Sequence, residues 1–238
     1  MKTINFITKL SSKAMLNQGD SVAITNRNVI KKFVEDPNFS FLVSFPRTGS
    51  HWLRMVMELY FEKPSLVRVF YYNNSQNYLT IHTHDMELNI YRKNVIYLYR
   101  NPVPTIYSQM KYYKENIHDQ QRISHWSILY GKHLSKWLIE ESESEKKTIL
   151  RYESLVKNIV AEFSKITLHF GISLNSDKLR QAAKQVSKEE VKKKTSHDSQ
   201  VISTRASYES KRKEFAQKYS TLITDLVIAQ NPTLKKYI

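Results

Sequence analysis

The sequence predicts an α/β protein, a single domain in which helices flank a central parallel sheet. Short apolar runs with the length of buried strands occur at 41–45, 95–99 and 148–151. Stretches whose apolar residues recur at helical spacing follow these runs. The first two runs end in loops rich in residue types that bind phosphate, a P-loop-like strand, loop and helix arrangement. Strands that alternate with helices indicate a parallel sheet.

Composition and charge narrow the class of protein. The chain has 238 residues, 41% of them hydrophobic, which is enough for one full core, and we expect a single domain over 1–238. The formal net charge of +15 favours an anionic partner such as a phosphate ester, nucleic acid or an acidic membrane. The absence of cysteine excludes disulfides, a thiolate nucleophile and Cys-ligated metal sites.

The N-terminal segment does not have the pattern of a signal peptide. Lys9 and Lys13 interrupt it before an apolar core develops, and no stretch approaches the roughly 18 apolar residues of a membrane span. We therefore expect a soluble, cytoplasmic protein with no membrane partner.

The first strand, 41–45, leads into the loop 46–50 and then a helix. The helix is predicted from apolar residues at helical spacing, and Pro64 ends it. These residues are Leu53, Val56, Met57, Tyr60 and Phe61. Ser50 is the expected N-cap.

The loop 46–50 has the composition of an anion site. Gly49 allows close approach of the backbone, Arg47 supplies a forked cation, and Thr48 and Ser50 supply hydroxyl groups. A helix N-terminus adds roughly half a positive charge. The loop lacks the second glycine and the Lys-Ser/Thr pair of nucleoside-triphosphate loops. A strand-to-helix turn with a solvated arginine is the alternative interpretation.

A second strand exit repeats the pattern. Arg100-Asn-Pro102 follows the strand 95–99, Pro104 is an early helical position, and Ser108 is expected about one turn into the helix. Arg100 and Ser108 should then reach the same edge of the sheet. A frequent turn type followed by an idle helical serine is the alternative.

The rest of the chain is predicted to be mostly helical. Amphipathic stretches cover 123–141 and 155–170, the latter closed by Gly171 at its C-terminus. The segment 184–218 is basic, and the polar stretch 195–200 within it is either a solvated loop or a lid over a ligand.

These motifs resemble those of the sulfotransferases that use 3′-phosphoadenosine 5′-phosphosulfate (PAPS). Phe45-Pro-Arg-Thr-Gly-Ser-His-Trp52 is similar to their 5′-phosphosulfate loop, with His51 at a position that is usually Thr or Asn. Tyr99-Arg-Asn-Pro102 with Ser108 is similar to their 3′-phosphate motif. The resemblance implies PAPS as donor, 3′,5′-adenosine bisphosphate (PAP) as product and no metal. The cofactor-binding residues that it implies are Arg47, Thr48, Gly49, Ser50, His51, Trp52, Arg100 and Ser108.

Later segments resemble the family less closely. Tyr152-Glu-Ser154 is similar to a Tyr-Glu-Asp element whose tyrosine contacts the adenine, which implies that role for Tyr152. Lys188 stands where an aromatic residue usually stacks on the base. Thr204-Arg-Ala206 is the nearest match to the C-terminal Arg-Lys-Gly signature, so Arg205 is an expected 3′-phosphate contact, with Lys211 and Arg212 as substitutes.

The segment Thr80-Ile-His-Thr-His-Asp85 resembles the Lys-Thr-His element that carries the catalytic base. The resemblance implies that His84 is the base and that His82 replaces the leaving-group lysine, which makes Arg47 the main cation there. An imidazole suits the role because it titrates near neutrality. A metal site formed by His82, His84 and Asp85 is an alternative, as are structural histidines. Glu58 or Glu62 is the reserve base.

The leading hypothesis is therefore an enzyme that transfers a sulfuryl group from PAPS to a hydroxyl or amine of a small-molecule acceptor, with no nucleic-acid partner. The alternatives are a nucleotide-dependent phosphoryl transferase and a basic nucleic-acid-binding module. Aromatic and histidine residues near the expected cleft are candidates for the acceptor wall, together with the segment 66–79. They are Tyr71, Tyr72, Tyr78, Tyr107, Tyr112, Tyr113, His118 and His125.

Overall fold

The computed structural model describes residues 20–72, 77–140, 144–196 and 206–238. The strands are β1 (Val22–Ala23), β2 (Ser40–Ser44), β3 (Arg68–Val69), β4 (Thr80–Thr83), β5 (Asn94–Tyr99) and β6 (Lys146–Arg151). The helices are α1 (Arg27–Val34), α2 (Ser50–Phe61), α3 (Pro102–Tyr112), α4 (Gln120–Leu134), α5 (Tyr152–Lys157), α6 (Ile159–His169), α7 (Ser176–Gln185), α8 (Lys188–Lys194) and α9 (Ala206–Ile228). A π-helical turn, Ser135–Ile139, continues α4, and a 3₁₀ turn covers Pro232–Lys236.

Four strands form one parallel sheet in the order β4, β2, β5, β6, which confirms the predicted fold class. The register pairs Val43 with Thr83 on one side of β2 and Ser44 with Leu98 on the other. The short strands β1 and β3 form a separate antiparallel pair. Because the four strands of the sheet run in the same direction, their carboxyl ends lie side by side along one edge.

The core lies on both faces of this sheet, as expected for parallel strands. Phe41 and Val43 of β2 join a buried cluster with α3, α4 and α9, whereas Leu42 between them joins a second cluster with α2, α6 and α7. Successive side chains of a strand point to opposite faces of the sheet, so neighbouring residues of β2 join different clusters. Each buried side chain of this size contributes about 1.5–3 kcal/mol to folding. The packed core on both faces therefore fixes the positions of the strand ends.

Local details differ from the sequence predictions. The expectation that Ser50 caps α2 is wrong: Gly49 is the N-cap, with φ of 95°, and Ser50 is the first helical residue. The single helix expected over 155–170 is two helices, because Asn158 leaves helical geometry (φ −150°, ψ 84°) and its side chain caps α6. Ser108 is the seventh residue of α3, nearly two turns from its start rather than one.

The basic C-terminal third is helical, as predicted, through α7, α8 and α9. At the end of α8, Thr195 is buried and donates to the Val191 carbonyl, and Ser196 donates its N–H to Asp20. The remainder of the expected loop or lid, 197–200, lies outside the described residues, as does Arg205. Within the described ranges, no helix is long and apolar enough to cross a membrane.

Candidate functional site

The loop between β2 and α2 presents its backbone at the sheet edge. The first hydrogen bond within α2 runs from the Leu53 N–H to the Gly49 carbonyl at 3.2 Å, so the N–H groups of residues 50–52 have no partner inside the helix. Thr48 is fully buried and donates its hydroxyl to the Phe45 carbonyl at 2.9 Å, which closes the loop on itself. Such a helix start suits an anion.

The structure brings the two predicted phosphate motifs into contact. Arg47 donates from Nε to the Ser108 hydroxyl at 3.2 Å, which links the loop after β2 to helix α3. Arg100, at the end of β5, donates from Nη1 to the Arg47 carbonyl at 3.3 Å. All three residues are partly exposed. Two guanidinium groups and one hydroxyl therefore meet at the ends of two adjacent strands, which is an arrangement that can hold a doubly charged anion.

The backbone of Arg100 is hydrogen-bonded to Tyr130, and one donor of its guanidinium group has no partner among the described residues. The Tyr130 hydroxyl accepts from the Arg100 N–H at 3.0 Å and donates to the Arg100 carbonyl at 2.7 Å. Asn101 caps α3, and its N–H donates to Glu153. The Nε atom of Arg100 is buried and has no hydrogen-bond partner among the described residues. A buried donor without an acceptor is unfavourable, and an anion beside it would relieve that cost.

Aromatic rings cover the loop from the β6 side. Tyr152 follows β6 directly, and the Arg100 guanidinium lies 4.5 Å from the centre of its ring. Trp52 meets the same ring edge to face at 6.4 Å between centroids. Both side chains are partly exposed and adjacent to the loop, so they form a surface on which a planar base can pack.

The two histidines of β4 and its exit lie on the other side of the loop. His84 Nδ1 is 2.7 Å from the Ser44 carbonyl, and since a carbonyl only accepts, Nδ1 carries the proton and Nε2 carries the lone pair. His82 Nε2 is 2.9 Å from the Ser44 hydroxyl. Burial lowers the pKa of both imidazoles, and the nearby charge of Arg54 lowers them further. Both histidines are therefore neutral near pH 7, and neither adds a positive charge beside the loop.

His51 and the reserve carboxylates are engaged away from the loop. His51 Nε2 accepts from Arg68 at 3.0 Å, and burial lowers its pKa to about 2. Glu58 is fully buried and accepts from three backbone N–H groups, those of Ser65, Phe70 and Tyr71. Glu62 forms an exposed ion pair with Lys178. Neither glutamate is placed to receive a proton at the sheet edge.

The remaining candidates are spread over several environments. Tyr107 is buried in the core, His118 contacts the Tyr219 hydroxyl, and His125 packs against Trp126. Tyr112 is the nearest to the loop, because the Arg47 guanidinium lies 4.9 Å from its ring centre. In the part of the chain that the structure describes, no group of three or more acidic or histidine side chains is arranged to hold a metal ion.

Comparison with known families identifies the arrangement. The sulfotransferase domain family matches residues 56–229, more than two thirds of the chain. The chain belongs to the sulfotransferase domain family. The match begins after the phosphate loop, and it includes the strand ends that carry His84, Arg100 and Tyr152. No sequence among curated proteins matches this sulfotransferase.

Solved structures share the fold. A mouse sulfotransferase, SULT7A1, complexed with PAP, is similar with a TM-score of 0.59 and 19% identity, covering 90% of this chain and 94% of that one. Retinol dehydratase in complex with androsterone and the inactive cofactor PAP is similar with a TM-score of 0.55 and 13% identity, covering 88% and 90% of the two chains. At such identities the likeness concerns the fold of this sulfotransferase.

Three side chains of the sulfotransferase site were not anticipated from the sequence. The Ser44 hydroxyl contacts His82, while the Ser44 backbone carbonyl accepts from His84. Tyr130 holds the Arg100 backbone, and His133 donates from Nε2 to the His84 carbonyl at 2.8 Å. A polar residue at the end of an apolar strand was the only signal for Ser44. Tyr130 and His133 fall within an amphipathic helical pattern. Such a pattern does not show whether the polar atom of a core-facing residue contacts a backbone group elsewhere in the fold.

Proposed function

We propose that this protein transfers a sulfuryl group from PAPS to a hydroxyl or amine of a small-molecule acceptor, with the whole chain, 1–238, acting as one domain. The contact of Arg47 with Ser108, which joins the two phosphate motifs at adjacent strand ends, carries the proposal. Membership in the sulfotransferase domain family supports the reaction class. The PAP bound in both structural neighbours supports the choice of donor.

The described residues fit such a nucleotide. The unpartnered Nε of Arg100 and the hydroxyl of Ser108 suit the 3′-phosphate. The N–H groups of residues 50–52, which have no partner inside α2, suit the 5′-phosphosulfate. The cofactor residues that we propose in the described part of the chain are Arg47, Thr48, Gly49, Ser50, Trp52, Arg100, Ser108 and Tyr152. We propose no contact between the His51 side chain and the nucleotide, because that side chain is hydrogen-bonded to Arg68.

The chemical roles follow from protonation and charge. Bound PAPS supplies an activated sulfuryl group and a phosphate leaving group. His84 holds its Nε2 lone pair free and removes the proton of the acceptor hydroxyl or amine as the new bond to sulfur forms. Arg47 stabilises the charge that develops on the departing phosphate oxygen, because His82 is neutral. In-line transfer then requires the nucleophilic atom of the acceptor to lie between His84 Nε2 and the sulfur, opposite the phosphate oxygen whose bond to sulfur breaks.

Ligand-dependent stability tests the proposed donor site. PAP without magnesium should raise the melting temperature by several degrees, and ATP with magnesium should have little effect. Stabilisation by magnesium and ATP alone would instead support a phosphoryl transferase. Tight oligonucleotide binding that weakens steeply with salt would support a nucleic-acid-binding module. Acceptors are then identified by incubating a small-molecule library with PAPS and measuring the mass gain of sulfated products.

A further inference from the structure

His133 connects the buried core to the segment that carries the proposed base. It lies in the last turn of α4, is fully buried and packs against the ring of Phe45 at 5.6 Å between centroids. Its Nε2 is 2.8 Å from the His84 carbonyl, and its Nδ1 is 2.9 Å from the Tyr97 hydroxyl. Both ring nitrogens thus have partners, and one of them is the main chain of His84.

The partners determine the tautomer of His133. The His84 carbonyl can only accept, so Nε2 of His133 carries the proton, and Nδ1 accepts the Tyr97 O–H. Burial lowers the pKa of His133 to about 4, so the ring is neutral near pH 7 and this pattern persists. The result is a directed chain of donors that runs from Tyr97 through His133 to the His84 carbonyl.

The peptide that follows His84 is otherwise strained. Asp85 has φ of 40°, a left-handed conformation that is rare for a residue with a side chain. A forked ion pair holds it, with Arg92 Nε and Nη2 donating to its two carboxylate oxygens at 3.0 and 2.9 Å. Such a conformation persists only when the surrounding structure holds it. Thr83 and Arg92 hold the Asp85 carboxylate, and His133 holds the His84 carbonyl.

We propose that His133, backed by Tyr97, is a positioning residue for sulfuryl transfer. By holding the His84 carbonyl, it keeps the His84 ring on the Ser44 carbonyl and leaves Nε2 available to the acceptor. The His84 backbone and ring are then restrained at two points, the carbonyl by His133 and Nδ1 by Ser44. This proposal rests on the proposed role of His84 as the base. A misplacement of about 1 Å at a reacting group costs on the order of a hundredfold in rate.

Two substitutions separate the hydrogen bond from the volume of the ring. His133→Phe keeps a planar ring in the core and removes the donor, whereas His133→Gln keeps an N–H donor near the position of Nε2. We expect His133→Phe to lower kcat by at least about tenfold with little change in the KM for PAPS or the Kd for PAP. His133→Gln should restore most of the rate. Equal loss in both variants, or none in His133→Phe, would overturn the proposal.

Imidazole ¹⁵N NMR on the full chain provides a readout that does not require turnover. Wild-type protein should show His84 protonated at Nδ1 and His133 protonated at Nε2, and His133→Phe should shift His84 towards a mixture of tautomers. Unchanged His84 signals with unchanged kcat would overturn this proposal alone. A changed tautomer with unchanged kcat would overturn the base role of His84 and this proposal with it.

The wild-type spectrum keeps the test decisive even where His133→Phe does not fold. If His133 in the wild-type protein were protonated at Nδ1 rather than Nε2, it could not donate to the His84 carbonyl, and the proposal would be overturned. Tyr97→Phe gives an independent check, because it removes the donor that fixes Nδ1 of His133 as an acceptor. We expect His133 in this variant to populate the Nδ1-protonated tautomer in part, and kcat to fall by less than in His133→Phe. An unchanged His133 tautomer with an unchanged kcat would overturn the part that Tyr97 takes in the proposal.

Discussion

Gly49 lies directly under the ring of Tyr152: a Cβ placed on residue 49 would be 2.5 Å from Cε2 and 2.6 Å from Cδ2 of that tyrosine. The loop after β2 and the residue after β6 are thus packed together, although 103 positions of sequence separate them and β5 lies between their strands. This close approach explains why the loop needs a residue without a side chain at position 49, in addition to its φ of 95°.

Gly49→Ala should lower both stability and nucleotide affinity. The added methyl group forces Tyr152 off the loop and also strains the left-handed backbone, at a cost of about 1–3 kcal/mol. Gly171→Ala is the matched control, because Gly171 also has positive φ (69°) but a Cβ there meets no atom within 4 Å. Thermal melting of both variants isolates the Tyr152 contact, and PAP titration measures the accompanying loss of affinity in Gly49→Ala. Equal behaviour of the two variants would show that the contact is unimportant.

Arg100→Ala should weaken PAP binding by about tenfold to a hundredfold, the range expected for a lost charge-assisted hydrogen bond. Ser108→Ala should weaken it less, because a neutral donor is lost. Arg180→Ala, on an exposed part of α7 in an ion pair with Asp177, removes the same charge far from the strand ends and should leave the Kd unchanged. Isothermal titration with PAP measures all three. A loss in Arg180→Ala as large as in Arg100→Ala would indicate a general charge effect.

His84→Ala should retain PAP binding and lose turnover by about a hundredfold or more, the usual contribution of a general base. His125→Ala, an exposed histidine on α4, serves as the control and should keep its rate. Steady-state kinetics with PAPS and an acceptor from the screen distinguish binding from chemistry. Turnover that is unaffected in His84→Ala would remove His84 from the role of base.

Glu58→Gln should destabilise the fold by about 3 kcal/mol, because an amide NH2 group then faces a buried N–H group that has lost its acceptor. Three backbone N–H groups donate to the carboxylate, and a glutamine offers them only one oxygen. The exposed variant Glu62→Gln should change the free energy of unfolding by less than about 0.5 kcal/mol. Urea unfolding measures both. A stable Glu58→Gln protein that has lost turnover would instead restore Glu58 as a candidate base.

Stability should fall with acid below pH 6.5, and His169 is one of the buried histidines that contribute to this fall. Its ring nitrogens contact Ser40 and Thr148, and burial lowers its pKa to about 4. An unfolded histidine titrates near pH 6.5, so below that pH the unfolded chain binds a proton that the folded chain does not. The free energy of unfolding keeps the full contribution of neutral His169 above pH 6.5. It loses this contribution as the pH falls towards 4, by up to about 1.4 kcal/mol per pH unit.

The variant His169→Gln should therefore show a shallower decline of the unfolding free energy between pH 6.5 and pH 4.5. His125→Gln, exposed on α4, should decline as the wild-type protein does. Denaturant unfolding at intervals of half a pH unit measures the slopes. Parallel slopes in His169→Gln and the wild-type protein would contradict a contribution of His169 to the acid dependence.

The fold was predictable because its signals are local. Strands β2 and β5 are apolar runs buried on both faces, and the loops after them combine Arg, Gly, Ser and Pro within a few residues. Helix details were less predictable. The break at Asn158 depends on one residue leaving helical geometry, and the position of Gly49 as N-cap depends on a tyrosine that follows another strand.

The sequence by itself determined the class of the protein. Its periodicities specify alternating strands and helices, and its two motifs at strand ends predict the order in which the proposed phosphate loops leave the sheet. The tertiary structure decided which side chains meet and in which protonation state. Ser44, Tyr130 and His133 act on residues up to 49 positions away, and burial makes His82 and His84 neutral. Contacts and desolvation arise only when distant segments pack together, so no local pattern records them.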